Sequence, residues 1–159
     1  MKGELCLRIL VISDSHGDSY AVREAVVQQP SARALYFLGD GEHDLDFARS
    51  VNSRLSVFAV KGNCDYGSQL PSCMLDEIEG RRIYCTHGYL ENVKYGTSVL
   101  LERAKEHNAS VALYGHTHNA DTTYCDGIWL VNPGSIRSDS YAVIDFTPNG
   151  IMPVIMKLR

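Results

Sequence analysis

The sequence predicts an α/β fold, a layered α/β/β/α sandwich of two mixed sheets stacked face to face between helices. In the first half of the chain, apolar strand-like runs alternate with helix-like segments, as in parallel β-α-β units. The second half instead has apolar runs joined by short turns such as Asp126-Gly127 and Asn149-Gly150, which are typical of β-hairpins. One sheet that begins parallel and one largely antiparallel sheet fit most simply into two stacked layers.

The first predicted strand covers residues 5–12. This run is apolar except for Arg8, as expected for a strand buried on both faces. It ends at the polar sequence 13–17, SDSHG. A helix capped by Asp18 or Ser19 should follow, because the next apolar residues recur at helical spacing.

Two further strand–loop units complete the predicted parallel part of the sheet. A strand at 34–38 leads to the loop Gly39-Asp40-Gly41, and a short helix at 44–50 follows. A third strand at 55–60 leads to the loop 61–65, KGNCD. The carboxyl ends of these strands should therefore carry polar loops on one rim of the sheet, where open α/β sheets bind ligands.

The remaining elements are mostly strands. A helix is expected from Thr97 or Ser98 to residue 108, because Leu100, Leu101 and Ala104 have helical spacing. The predicted strands of this part are 73–78, 82–86, 110–114, 122–125, 128–131, 141–146 and 151–156. The strand-rich C-terminal part offers a sheet edge for pairing in a homo-oligomer.

Composition restricts the class of protein. The 159 residues fit a single domain, 1–159, and no segment approaches the length of an apolar membrane helix, so we expect a cytoplasmic protein without a membrane partner. A net charge of −4 without a basic cluster argues against general nucleic-acid binding. Five cysteines without a CxxC motif suit a reducing compartment, and Cys6, Cys73, Cys85 and Cys125 are expected to be small buried residues.

Metal-competent side chains follow five predicted strands. Four of the six histidines lie at these points. If the backbone stays extended, Asp14 and His16 leave it in the same direction, and His116 and His118 repeat this spacing. Each pair could bind one ion or divide between two. The seven candidate ligands are Asp14, His16, Asp40, Asn63, His87, His116 and His118.

Seven ligands are too many for one ion but fit two divalent ions if Asp40 bridges them. With Asp14 and Asp40 as the only carboxylates, two such ions leave the centre positively charged. The centre should therefore favour an anionic substrate, and phosphate is the obvious candidate.

These motifs resemble those of the calcineurin-like metallophosphoesterases, especially the small YfcE-type phosphodiesterases. The matching motifs are D-x-H, G-D, G-N-x-D, H-G and G-H-T-H, and Asn132-Pro133-Gly134-Ser135 is similar to the family's closing loop. The resemblance implies a metallophosphoesterase-like fold with a first ion held by Asp14, His16, Asp40 and His118. It implies a second ion held by Asp40, Asn63, His87 and His116.

The resemblance also implies hydrolysis of a small phosphodiester by a hydroxide that bridges the two ions. Mn²⁺ is the expected metal, although Zn²⁺, Fe²⁺, Ni²⁺ and Co²⁺ suit the same ligands. Asn63 and His116 are the predicted catalytic residues, and Cys64, Asp65 and Tyr66 are expected near the substrate. Many members of the superfamily have histidine where this chain has Cys64, and that histidine is taken to protonate the leaving group. A thiol is a poor substitute, so we expect a preference for good leaving groups.

Two other functions remain open on the sequence. A non-catalytic metal-binding scaffold would be similar to the retromer subunit of this fold, but all seven ligand positions hold competent residues, which a scaffold does not need. A phosphomonoesterase is the other alternative. The cysteine at position 64 and the short chain, with little room for a specificity domain, argue against it.

Overall fold

The first sheet is built around the predicted parallel strands. It consists of β1 (Leu7–Ile12), β2 (Ala34–Phe37), β3 (Ser56–Ala59), β9 (Ser140–Thr147) and β10 (Gly150–Lys157), in the order β10-β9-β1-β2-β3. The computed structural model describes residues 6–159, so Leu5, the predicted start of the first strand, lies outside the described residues. Strand β1 pairs in parallel with β2, and β2 in parallel with β3. The helices of this part are α1 (Ser19–Gln28) and α2 (Leu45–Val51).

The second sheet consists of β4 (Cys73–Ile78), β5 (Arg81–Thr86), β6 (Val111–Leu113), β7 (Asp121–Cys125) and β8 (Ile128–Asn132), in the order β4-β5-β6-β8-β7. Helix α3 (Ser98–Glu106) lies between β5 and β6 in the chain. The expectation of a largely antiparallel sheet is wrong, because β5–β6 and β6–β8 are parallel pairs. The reason is that α3 forms a crossover between β5 and β6, while the last hairpin, β9–β10, joins the first sheet instead.

Three apolar clusters define the layers. The central cluster packs the two sheets together, with Ile9 and Ile144 from the first and Ile83 and Val131 from the second. A second cluster covers the outer face of the first sheet with the apolar residues of α1 and α2, and a third covers the second sheet with those of α3. The structure confirms the α/β/β/α sandwich. Within the described residues, no helix has the length and apolar character needed to cross a membrane.

Local signals placed the helices correctly. Asp18 caps α1, since its Oδ1 accepts the N–H of Ala21 at 3.0 Å. The expectation for the cysteines is only partly right, because Cys85 is buried whereas Cys6 and Cys73 are exposed. Cys73 is exposed because it begins β4, a strand at the edge of its sheet.

Candidate metal centre

The loops that follow β1, β2, β3, β5 and β6 meet at one rim where the two sheets adjoin. Backbone hydrogen bonds join these loops. The N–H of Asp14 donates to the carbonyl of Gly39 and that of His16 to the carbonyl of Asp40, both at 3.0 Å. In the second sheet, the N–H of Gly115 donates to the carbonyl of His87 at 2.9 Å. The loops that carry the predicted ligands are thereby held side by side.

One group of candidate ligands consists of Asp14, His16 and His118. Asp14 Oδ1 lies 3.7 Å from His16 Nε2 and 3.2 Å from His118 Nε2, and these two nitrogens are 3.3 Å apart. Asp14 is fully buried, whereas His118 is half exposed. The group therefore lies at the protein surface with its carboxylate on the inner side.

The other group consists of Asp40, His87 and His116, with Asn63 beside it. His87 Nε2 lies 3.0 Å from Asn63 Oδ1, 3.2 Å from His116 Nδ1 and 3.3 Å from Asp40 Oδ2. His87 Nδ1 donates to the carbonyl of Leu38 at 2.7 Å, so the neutral ring keeps its proton on Nδ1 and can offer Nε2 to a metal ion.

Asp40 lies between the two groups. Its Oδ2 is 3.8 Å from His16 Nε2 and 3.3 Å from His87 Nε2, while its Oδ1 accepts the N–H of Cys64 at 2.7 Å. Burial alone would raise the pKa of Asp40, but the hydrogen bond and charge of His87 lower that pKa to about 2. The carboxylate is thus held in the ionised form that a metal ligand requires.

The imidazoles respond to the same electrostatics. Burial lowers the pKa of His87, but its hydrogen bond to Asp40 and the charges of both carboxylates raise that pKa by more. Burial and the neighbouring His87 lower the pKa of His116. A cation bound at these nitrogens would compete with protons, so its binding would release protons to solution.

Asp14 Oδ1 tests whether the site fits a cation. Among the described residues, it is the one buried side-chain polar atom without a hydrogen bond, because His118 approaches it outside hydrogen-bonding geometry. An unpaired buried carboxylate oxygen is strongly unfavourable. The other oxygen of Asp14 accepts the hydroxyl of Ser13 at 2.6 Å and the N–H of His116 at 3.0 Å. The free oxygen, facing imidazole nitrogens, fits a divalent cation.

The backbone at the ligands differs from the extended conformation expected from the spacing. Asp14, His16, Asp40, His116 and His118 have φ angles of 56°, 44°, 61°, 71° and 63°. These values lie in the left-handed region, which aspartate and histidine tolerate better than most residues. The paired side chains therefore converge through tight turns. Asp14 and His16 belong to the same group, whereas His116 and His118 belong to different groups.

Two glycines allow the loops to approach this closely. A Cβ at Gly62 would lie 2.1 Å from Asp40 Oδ1, and one at Gly115 would lie 2.7 Å from Asp14 Oδ2. Real Cβ atoms do not make contacts this short. Both glycines therefore leave room for a carboxylate of the centre.

Asp65, which is predicted to lie near the substrate, makes hydrogen bonds to the backbone of the ligand loops. Its Oδ2 accepts the N–H groups of Asp40 at 2.7 Å and Gly62 at 2.8 Å, and its Oδ1 accepts those of Gly41 at 2.9 Å and Glu42 at 3.2 Å. Both oxygens are thus used in joining two ligand loops. The G-N-x-D motif contained this signal, but nothing in the sequence showed that the aspartate turns towards backbone donors.

We expect Asp65→Asn to lower the free energy of unfolding by about 3 kcal/mol, because the side-chain amide would leave backbone donors unpaired. Urea denaturation of the metal-free protein measures this difference. Asp126→Asn is the matched control, since Asp126 pairs on the surface with Lys105 and should show no measurable change. Equal stability of the two variants would contradict the role of Asp65 in joining the loops.

The other residues predicted near the substrate lie at the rim of the centre. Cys64 is exposed, and together with His16 and Asp40 it forms a third group of potential ligands. Desolvation and the negative charge of Asp40 raise the pKa of its thiol. Tyr66 lines a cavity next to Asn63 and His87. The sequence interpretation missed Ser13, whose hydroxyl orients Asp14, because a serine after a strand has no distinctive signal.

Comparison with known proteins identifies the family. Residues 7–148 match the profile of the calcineurin-like phosphoesterase superfamily domain. YsnB of Bacillus subtilis, a probable metallophosphoesterase, is 31% identical over 144 residues, which cover 87% of this chain and 83% of YsnB. The phosphodiesterase YfcE of Escherichia coli is 29% identical over 181 aligned positions, which cover 94% of this chain and 91% of YfcE.

Solved structures show the same fold. Vps29 of Cryptosporidium parvum superposes with a TM-score of 0.82 at 15% identity, covering 97% of this chain and 92% of Vps29. That likeness concerns the fold alone, whereas the family profile and the sequence relatives also concern the chemistry. The chain belongs to the calcineurin-like phosphoesterase superfamily, a family of metal-dependent hydrolases that act on phosphoric esters.

Proposed function

We propose that this protein is a metal-dependent phosphodiesterase that acts on a small phosphodiester with a centre of two divalent ions. The position of Asp40 carries this proposal. Its Oδ2 lies within 3.8 Å of His16 Nε2 and within 3.3 Å of His87 Nε2, between the two groups of candidate ligands. A single carboxylate oxygen in this position suits a bridging ligand.

The two groups, with Asp40 between them, support the proposed ligand assignment. Asp14, His16, Asp40 and His118 would hold the first ion, and Asp40, Asn63, His87 and His116 the second. Such ions lower the pKa of a bound water to near neutrality and polarise the phosphoryl oxygens of an ester. We propose Mn²⁺, since the donors are carboxylate, amide and imidazole atoms, which suit manganese as well as several other divalent metals.

The protein's own residues orient the reacting groups. Asn63 Oδ1 faces His87, whereas its amide nitrogen lies 3.5 Å from Cys64 Sγ at the exposed side. We propose that this amide group donates a hydrogen bond to a phosphate oxygen of the substrate. Burial and then the charge of His87 lower the pKa of His116, which favours the neutral imidazole that a metal ligand requires.

Cys64 limits the range of leaving groups. Its thiol has a raised pKa because of desolvation and the charge of Asp40, so it donates protons poorly. Without a stronger acid at this position, an alkoxide must leave with protonation by water. Esters of acidic alcohols, such as nitrophenols, should therefore react much faster than alkyl esters.

The scaffold alternative draws on the likeness to Vps29 in fold. Against it, Asp14 is fully buried and one of its oxygens is unpaired at the ligand groups. This observation argues against a scaffold without metal, and the hydrolysis assay separates an enzyme from a scaffold that binds metal. The phosphomonoesterase alternative has no such observation in its favour, and the relative YfcE is named a phosphodiesterase.

Hydrolysis of bis(p-nitrophenyl) phosphate tests the proposal directly. Protein stripped with a chelator should be inactive, and added Mn²⁺ should restore cleavage of the diester. Cleavage of p-nitrophenyl phosphate under the same conditions should be much slower. A protein that binds Mn²⁺ stoichiometrically and cleaves neither ester would support the scaffold, and faster cleavage of the monoester would support a phosphomonoesterase.

A further inference from the structure

A cavity of about 390 Å³ opens beside the metal centre. Asn63 and His87, both candidate ligands, form part of its lining, so a molecule in the cavity would lie directly next to the reacting phosphate. The volume is near the lower end of the range for ligand pockets, roughly 300–1,000 Å³. The cavity therefore fits one arm of an ester and not an extended polymer.

Three large apolar side chains on the cavity are exposed to solvent. Tyr66 is 90% exposed, Tyr89 54% and Leu90 61%. They come from two loops, one following β3 and one following β5. A single exposed apolar side chain is ordinary on a protein surface, but three that line one concave site indicate a binding function.

Tyr89 also contacts the metal centre. Its ring packs edge-on against the imidazole of His116, with centroids 5.5 Å apart and planes at 83°. This contact fixes one aromatic wall of the cavity relative to a candidate ligand. A planar ring bound against Tyr89 would thus have a defined position relative to the phosphate.

The charge of the cavity lining suits an ester that carries a phosphate. The ionisable residues of the lining are Lys61, His87 and the two tyrosines, and none of the lining residues is acidic. An anionic diester can therefore enter without repulsion from the walls. Tyrosine rings bind planar aromatic groups by stacking or edge-on contact, which aliphatic groups of the same size cannot reproduce.

We propose that the cavity binds a planar aromatic arm of the diester substrate, of the aryl or nucleoside type. The inference rests on the proposed function, because the diester must also reach the metal centre. Tyr66 and Tyr89 recognise the ring of this arm, and Asn63 and His87 mark the end of the cavity at which the phosphate lies. Specificity for one side of the diester thus comes from the loops after β3 and β5.

Affinities of three simple diesters for the Mn²⁺-loaded protein test this proposal. They are measured by calorimetry at low temperature, and phosphorus NMR of the sample after each titration checks that the ester is still intact. The ligands are dimethyl phosphate, methyl cyclohexyl phosphate and methyl phenyl phosphate. We expect methyl phenyl phosphate to bind roughly tenfold more tightly than methyl cyclohexyl phosphate, which has a similar size but no aromatic ring. Equal affinity for these two ligands would overturn the aromatic site.

Variants identify the residues responsible. Tyr66→Leu and Tyr89→Leu keep apolar bulk but remove the ring, so each should reduce the preference for the phenyl ester by a few-fold. Tyr95→Leu is the matched control, since Tyr95 is 94% exposed in the same region and does not line the cavity. A preference that survives both substitutions, or that Tyr95→Leu also removes, would overturn the assignment.

The proposed function and this inference can be refuted independently of each other. If the phenyl ester binds preferentially and no diester is hydrolysed with Mn²⁺, the aromatic site is confirmed and the proposed phosphodiesterase activity is refuted. If Mn²⁺ restores diester hydrolysis and all three ligands bind equally, the activity is confirmed and the aromatic site is wrong.

Discussion

Replacing Asp40 with asparagine is expected to lower kcat/KM for bis(p-nitrophenyl) phosphate by roughly 10³-fold, since even the outer partners of metal ligands contribute 10- to 100-fold. The substitution removes the negative charge between the two groups of ligands. It keeps an oxygen that can accept the N–H of Cys64, so the loop should stay folded. Steady-state kinetics with saturating Mn²⁺ measures the loss.

Thermal denaturation gives a second reading of the same variant. Binding of ions to the folded state alone stabilises it, by about 2.7 kcal/mol at a concentration of 100 Kd, so Mn²⁺ should raise the Tm of the native protein by several degrees. Asp40→Asn should lose most of this increase. Asp145→Asn is the control, because Asp145 pairs with Arg8 away from the centre and should keep both activity and the Mn²⁺ effect. Normal turnover by Asp40→Asn would contradict a bridging carboxylate.

Gly62→Ala should damage the metal centre although it adds a single methyl group. The new Cβ would lie 2.1 Å from Asp40 Oδ1, 2.6 Å from its backbone N and 2.7 Å from its Cγ. Either the carboxylate or the loop must move, and a displacement of about 1 Å at a reacting centre reduces the rate by about 100-fold. We expect a loss of that size in kcat, together with weaker Mn²⁺ binding.

Gly80→Asn separates this effect from a general cost of replacing glycine. Gly80 has a positive φ of 76° and open space around it, and asparagine tolerates that conformation. The control should retain Mn²⁺ binding and activity. A Gly62→Ala protein with the native rate would show that the two loops are not in contact in solution.

The fold could be predicted in detail because its signals are local. Apolar runs bounded by turns gave every strand to within a few residues, and of the two predicted caps, Asp18 or Ser19, the structure shows Asp18. The sheet that receives each strand could not be predicted in the same way. In the sequence, the hairpin β9–β10 follows β7–β8 as if it continued the same sheet. In the structure, the antiparallel pairing of β9 with β1, which places Ile144 opposite Ile9, assigns it to the first sheet.

The candidate site, like the fold, could be predicted only in part. The identity of the seven predicted ligands followed from polar residues at strand ends, and the structure brings all seven together. The manner in which they converge did not follow, because the spacing of Asp14 and His16 suggested extended backbone whereas both adopt positive φ. The role of Asp65 was also hidden, since its partners are backbone N–H groups, which every sequence contains.

Five of the candidate ligands have left-handed backbone, so the protein loses some stability at residues that its activity requires. A chain selected for thermostability alone would carry glycine or asparagine at these turns, because such residues adopt the conformation with less strain. Computational stabilisation applied without regard to chemistry would therefore change Asp14, His16 and His118 early. Engineering for robustness should hold these turns fixed and look for improvement in the helices and the outer strands.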